Sequence, residues 1–216
     1  MTQTVTTNKP VTQVQSQTQT QSKGQRIGIL GGTFNPPHIG HLMIADQVFE
    51  QLDLDKILFI PDANPPHVDE KGAIAVEHRM EMVRRAIINH RDFDLCLIEA
   101  QRGGISYTFD TIRQLKKLHP ENQYYFIIGG DMVEYLPKWH KIDELVQMVQ
   151  FVGVCRKGYE QNSTYPIIWV NMPTTEVSST WIRQTIQTHG SVRYFVPDLV
   201  QQYIDEKGLY LDDCND

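Results

Sequence analysis

From Arg26 onward, short apolar runs alternate with stretches of helical period, and this alternation restricts the chain to a narrow set of folds. Strands are expected at Arg26–Leu30, Lys56–Ile60, Phe93–Ile98, Tyr124–Ile128, Val149–Cys155 and Ile167–Val170. Helices are expected near 38–52, 77–90, 107–118, 141–148, 179–188 and 198–207. Gly190 follows the helix that contains Trp181 and Ile182, while Pro197 opens the last helix and Gly208 closes it. Alternating strand and helix implies an α/β fold, a doubly wound, mostly parallel sheet with helices on both faces. Such sheets bind ligands beyond the carboxyl ends of their strands, at a topological switch point. The loop that leaves the first strand is therefore the first place to look for chemistry.

That loop reads Gly31-Gly32-Thr33-Phe34-Asn35-Pro36-Pro37-His38-Ile39-Gly40-His41. Two glycines allow a phosphate to approach the backbone, and two prolines stiffen the turn. A helical pattern resumes at once through Leu42, Ile44, Ala45, Val48, Phe49 and Leu52. The unpaired backbone N–H groups of a helix start attract anions. His38 and His41, at i and i+3, share one face and can both donate to phosphate oxygens. The loop lacks Gly-Lys-Ser/Thr and GxGxxG, so it is neither a Walker loop nor a dinucleotide fingerprint. A tight turn whose histidines only cap or pack is the structural alternative. Zinc would need three or four protein ligands, and neither an HExxH pattern nor a nearby cysteine supplies the others.

Charge and cysteine usage narrow the class of partner. Residues 1–25 are dominated by Gln and Thr and cannot bury enough apolar surface to offset ordering entropy. They are expected to form a disordered tail, leaving 26–216 as a single domain. The tail holds two of the 20 basic residues, Lys9 and Lys23, and none of the 26 acidic ones, so the remainder carries a balance of −8. That argues against a nucleic-acid partner, which requires a basic face. Cys96, Cys155 and Cys214 are odd in number and widely spaced, which fits a reducing cytoplasm better than a disulfide framework. No apolar run approaches the roughly 20 residues of a membrane span.

A second constellation reads Ser178-Ser179-Thr180-Trp181-Ile182-Arg183. Hydroxyl side chains stand where a helix begins, with Arg183 one turn inside. Hydroxyls, unpaired N–H groups and a guanidinium make a polyphosphate clamp. Ordinary helix capping is the alternative. Arg79, Arg84 and Arg85 share a helix with Glu77 and Glu81 and are expected to form a solvated, charge-paired face.

Together, the loop from Gly31 to His41 and the Ser178–Arg183 stretch resemble the two motifs of the nucleotidyltransferase superfamily with HxGH and ISSTxIR signatures, with Val177 in place of the leading Ile. From about Arg26 to Tyr210 the chain resembles bacterial nicotinate mononucleotide adenylyltransferases. The resemblance is carried by Pro61 with Pro65-Pro66-His67, by Glu99 to Thr111, by Ile127 to Met132 with Leu136 and Trp139, and by Arg156 to Tyr159. Two positions depart from it. Asn35 stands where many members have Asp, and Val68 where Lys is common.

The resemblance implies a Rossmann-like fold and a single reaction. AMP passes from ATP to nicotinate mononucleotide, giving nicotinate adenine dinucleotide and pyrophosphate. His41, His38 and Arg183 are the implied catalytic residues. The implied ATP site adds Gly31, Gly32, Thr33, Phe34, Gly129, Asp131, Ser179 and Thr180. The acceptor site is assigned to Asn35, Tyr107, Thr108, Trp139 and Arg156. Trp139 offers a stacking face for a pyridine ring, and the helix start at Tyr107–Thr108 offers N–H groups to its carboxylate. No protein ligands to a metal are implied; Mg²⁺ is expected to be bound mainly through ATP phosphates and waters. The residues leave other acceptors open, among them nicotinamide mononucleotide and phosphopantetheine. They also leave open a nucleotide-sensing module that binds without turnover.

Overall fold

A computed structural model describes residues 24–64, 73–155, 161–173 and 175–211, apart from the side chain of Asp131. The Gln/Thr-rich segment before Gly24, Pro65–Pro66–His67, Val68, Arg156 and Cys214 lie outside the described residues.

Six strands form one sheet: β1 (Arg26–Gly32), β2 (Lys56–Pro61), β3 (Phe93–Leu95), β4 (Gln123–Gly129), β5 (Gln150–Cys155) and β6 (Ile167–Asn171). Their spatial order is β3-β2-β1-β4-β5-β6, and every pairing is parallel. The expected mostly parallel sheet is thus entirely parallel over the described residues. The order reverses between β1 and β4, which places the topological switch point at their carboxyl ends.

β1 and β4 contribute alternate residues to two cores. Ile27 and Ile29 of β1 and Phe126 and Ile128 of β4 pack with Phe109, Ile112 and Leu115 of α4 (Thr108–Leu118). On the opposite face, Leu30, Ile127, Val152 and Val154 pack with Ala45 and Val48 of α1 (Ile39–Gln51) and Val83 and Ile87 of α2 (Val76–Ile87). A strand buried on both faces reads as a continuous apolar run, as these do. A third cluster joins α6 (Ser179–Gln187) to α7 (Asp198–Lys207) through Ile182, Ile186, Val200, Tyr203 and Ile204, with Met82 of α2 beneath.

Three features differ from the sequence reading. β3 ends at Leu95, because Ile98 opens a one-turn helix, α3 (Ile98–Arg102). The expected helix over 141–148 contracts to α5 (Ile142–Leu145). A 3-10 segment, Gly130–Lys138, follows β4 directly and contains Pro137. Arg79 is also not a solvated residue. It is 2% exposed, and its guanidinium donates to the carbonyls of Thr33, Asp62 and Ile74 and to Asp62 Oδ1 at 3.1 Å. Arg84 and Arg85 do pair with Glu81, as expected.

Candidate active site

A cleft of about 660 Å³ opens at the carboxyl ends of β1 and β4. Its described lining includes Gly31, Gly32 and His41 from the first motif, Gly129 from the end of β4, and Tyr107, Thr108 and Trp139. Residues expected to hold ATP and residues expected to hold its acceptor therefore face one space at the switch point.

His41 lines this cleft from the first turn of α1. The backbone N–H of His38, the residue that precedes α1, donates to His41 Nδ1 at 3.1 Å. An Nδ1 that accepts carries no proton, so the neutral ring is protonated at Nε2. Burial pushes His41 down to about 3, and the neighbouring His38 adds to the shift. His38 is lowered to about 4 by burial. Both imidazoles are therefore neutral near pH 7. Their rings lie 3.8 Å apart between centroids, and Phe34 meets His41 edge-on at 5.0 Å. His38 Nδ1 is buried without a hydrogen-bond partner among the described residues. Position 40 has to be small: a Cβ on Gly40 would sit 3.0 Å from His38 Nδ1 and 3.1 Å from Thr175 Cγ2.

The second motif lies against the first, but through its backbone. Ser179 Oγ donates to the Pro36 carbonyl at 2.8 Å, and Arg183 Nη1 donates to the Asn35 carbonyl at 2.9 Å. Arg183 Nη2 reaches Thr180 Oγ1 at 3.3 Å, and Ser178 caps α6 by accepting from the Trp181 N–H. From the C-terminal end, the Tyr210 hydroxyl donates to Asn35 Oδ1 at 2.8 Å, and the Phe195 carbonyl accepts from the Ile39 N–H at 2.9 Å. Burial raises the Tyr210 hydroxyl well above its usual range, against the opposing charges of Arg183 and Arg79.

Several expected residues are placed differently from a substrate-facing role. Phe34 is 2% exposed and packs in the core, with its backbone at φ 50°. Asn35 is 4% exposed and turned toward Tyr210. Thr33 Oγ1 donates to Asp62 Oδ2 at 2.8 Å. His38, Ser179, Thr180 and Arg183 stand beside the cleft rather than among its described lining residues. The side chain of Asp131 and the whole of Arg156 fall outside the described residues.

Sequence reasoning missed five polar lining residues: Asp62, Glu99, Ser106, Lys138 and His140. Burial raises the Asp62 carboxyl, countered by the Thr33 hydroxyl and by Arg79. Burial also raises Glu99, whose Oε1 accepts from Thr111 Oγ1 at 2.6 Å. Ser106 Oγ accepts from the Ala63 N–H at 2.9 Å and so joins the loop after β2 to the start of α4. His140 lies over Tyr107 with centroids 4.5 Å apart. Glu99 and Ser106 lie within the Glu99–Thr111 stretch that carries the family resemblance, and the others adjoin its positions: Asp62 follows Pro61, while Lys138 and His140 flank Trp139. Among the described residues no group of three or more His, Cys, Asp or Glu is arranged to hold a metal ion. No described helix is long and apolar enough to cross a membrane.

Residues 29–185 match the cytidylyltransferase-like family. A relative from Lactiplantibacillus plantarum, described as a "probable nicotinate-nucleotide adenylyltransferase", is 56% identical over 95% of this chain and 97% of its own length. Relatives with the same description from Enterococcus faecalis and Streptococcus mutans are 53% and 48% identical, over 88% and 93% of this chain and 87% and 96% of their own lengths. Among solved structures, the fold is similar to Plasmodium falciparum nicotinic acid mononucleotide adenylyltransferase complexed with NaAD. That likeness has a TM-score of 0.73 at 21% identity and covers 86% of this chain and 97% of the other.

Proposed function

Because this chain belongs to the nicotinate-nucleotide adenylyltransferase family, it is a nucleotidyltransferase of NAD biosynthesis, and we propose that its cleft joins ATP to nicotinate mononucleotide by direct in-line attack. A phosphate oxygen of the mononucleotide attacks the α-phosphorus of ATP. A new P–O bond forms as the bond to the leaving pyrophosphate breaks, and nicotinate adenine dinucleotide remains. The attacking oxygen is already anionic near neutral pH, so the reaction needs positioning and charge stabilisation rather than a strong base.

The observation that carries this reading is the state of His41. It is neutral, held through Nδ1 by the His38 N–H, and faces the cleft at the switch point. Its Nε2–H is a fixed donor for the α-phosphate as negative charge accumulates there. His38, 3.8 Å away ring to ring, serves the triphosphate. Gly31, Gly32 and Gly129 line the path the phosphates take without side chains to obstruct it. Arg183 uses Nη1 and Nη2 in the bonds above, and a guanidinium carries five N–H donors, so it can hold the loop and still donate to the leaving pyrophosphate with the Thr180 hydroxyl; Ser179, whose one O–H goes to the Pro36 carbonyl, has its backbone N–H at the helix start to offer.

Trp139 presents its ring to the pyridine, and the N–H groups at Tyr107–Thr108 face its carboxylate. A covalent nucleotidyl-histidine route is disfavoured, because one cleft accommodates both reactants. Mg²⁺ bound to ATP would supply neutralisation of phosphate charge, held by phosphate oxygens and water. The Asp62 carboxylate in the cleft is engaged by Arg79 and Thr33. The −8 balance disfavours a nucleic-acid partner, and the cysteine usage suits the cytoplasm.

The test is pyrophosphate release from Mg-ATP with nicotinate or nicotinamide mononucleotide as acceptor. Nicotinate mononucleotide should be the better acceptor, and His41→Ala should lower its kcat about 10²–10³-fold with little change in ATP affinity. ATP binding without pyrophosphate release under any acceptor would make the chain a sensor instead.

A further inference from the structure

The cleft has an unusual charge balance for a site that receives two anionic nucleotides. Its described lining includes two carboxylates, Asp62 and Glu99, and two histidines, His41 and His140. Lys138 is the one lysine or arginine among those described residues. Asp62 has its cation already, in buried Arg79. Lys138 has no carboxylate within ion-pair distance among the described residues. The interaction it does make is with the Tyr135 ring, 5.3 Å from Nζ to the centroid. That contact leaves all three N–H donors of the ammonium available.

The position of Lys138 determines which substrate anion it meets. It closes the 3-10 segment and directly precedes Trp139, whose ring packs edge-on against Phe126 at 5.7 Å. His140 follows and lies over Tyr107. Lys138 thus belongs to the ring-binding end of the cleft, with the Tyr107–Thr108 helix start, and not to the phosphate end at Gly31, Gly32 and His41. It also lines a second hollow of about 400 Å³ with Met132, Tyr135 and Trp139, so its stem has room to swing across the indole. On the reading given above, the group at this end is the pyridine carboxylate. Neutral nicotinamide has no charge there.

We infer that Lys138 is a specificity-determining residue that pairs its ammonium with the carboxylate of the acceptor's pyridine ring and thereby selects an acidic over a neutral mononucleotide. The inference rests on the function proposed above. Lys138 is exposed, so its variants should fold. The experiment measures kcat/KM for nicotinate and nicotinamide mononucleotides in wild type, Lys138→Met and Lys138→Arg, with KM for ATP as the internal control.

Lys138→Met keeps the apolar stem and removes the charge. It should raise KM for nicotinate mononucleotide about three- to tenfold, the range of a partly exposed to a charge-assisted pair. KM for nicotinamide mononucleotide and for ATP should not move, and the nicotinate-to-nicotinamide ratio should fall by the same factor. Lys138→Arg should restore most of that ratio, and added salt should erode it in wild type but not in Lys138→Met. An unchanged ratio in Lys138→Met overturns the inference, as does an equal loss with both mononucleotides, which would assign the contact to a part they share. If wild type turns over nicotinate mononucleotide and the ratio stays fixed, only the lysine assignment fails. If wild type ignores nicotinate mononucleotide, the proposed function fails with it.

Discussion

Acidification should destabilise this protein through its two cleft histidines, and the size of the effect follows from their burial. His38 and His41 are held at about 4 and about 3, against an unfolded value of 6.5. Between those limits the unfolded chain binds more protons than the native one, so stability is fully present above 6.5 and falls as pH drops toward the native values. Each histidine loses about 1.4 kcal/mol per pH unit in that window, or about 2 kcal/mol from pH 6.5 to 5. Because the rings lie 3.8 Å apart they titrate as a pair, and the pair should lose about 4 kcal/mol over that interval. Asp62 and Glu99 act in the opposite sense. Their native carboxyls are raised by burial, so they take up protons more readily folded than unfolded and offset part of the loss.

A comparison of variants isolates the histidines. In the double variant His38→Gln, His41→Asn, the Asn Oδ1 can still accept from the residue-38 N–H that now meets His41 Nδ1. Urea unfolding at pH 7, 6 and 5 should show a steep loss of stability in wild type and a slope smaller by about 4 kcal/mol over the same range in the variant. Equal slopes would mean that the native histidines titrate normally. The tautomer argument for His41 would then fall with them.

Three further outcomes can be checked. Gly40→Ala should leave stability near wild type, since alanine favours a helix by about 1 kcal/mol, while the new Cβ presses on His38 Nδ1; kcat should fall about tenfold, and unchanged turnover would show that the imidazole has slack. Arg79→Met should cost about 3–5 kcal/mol in chemical denaturation, because it leaves Asp62 and three loop carbonyls without their donor, and a loss under 1 kcal/mol would contradict the buried-pair reading. Trp139→Ala should raise KM for the mononucleotide in steady-state assays, and a change confined to ATP affinity would place the indole in the other half-site.

The sheet was legible because parallel strands buried on both faces write themselves as unbroken apolar runs, as Tyr124–Ile128 and Phe151–Cys155 do. The first motif was legible for a related reason: glycines, prolines and two histidines at helical spacing are a local pattern with a local cause. What escaped depended on partners distant in sequence. Arg79 looked like a surface residue because Glu77, Glu81, Arg84 and Arg85 surround it on the chain, while its true partner, Asp62, comes from the loop after β2. The 3-10 segment escaped because Pro137 interrupts any helical period, and with it went Lys138 and His140. Asn35 carries no sequence sign that its side chain is turned inward, since the donor, Tyr210, lies near the far end of the chain.

Those long-range bonds change how the two motifs are to be understood. Two donors of α6, Ser179 and Arg183, hold the carbonyls of Pro36 and Asn35, Tyr210 holds the Asn35 amide, and Phe195 accepts from the first N–H of α1. Four contacts from the last 40 residues thus fix the stretch from Asn35 to Ile39, which contains His38 and leads into His41 on the first turn of α1. Loops fixed from one side only retain motion, and a donor that moves must reorganise when charge develops in the transition state. Here the ordering cost of the loop is met when the C-terminal cluster of Ile182, Val200 and Ile204 folds against Met82, before any nucleotide binds. A motif residue can therefore be essential without touching substrate. For Ser179, losing its grip on the Pro36 carbonyl would displace both imidazoles, so Ser179→Ala should lower kcat more than it raises KM for ATP. A residue serving only to bind pyrophosphate would produce the reverse split.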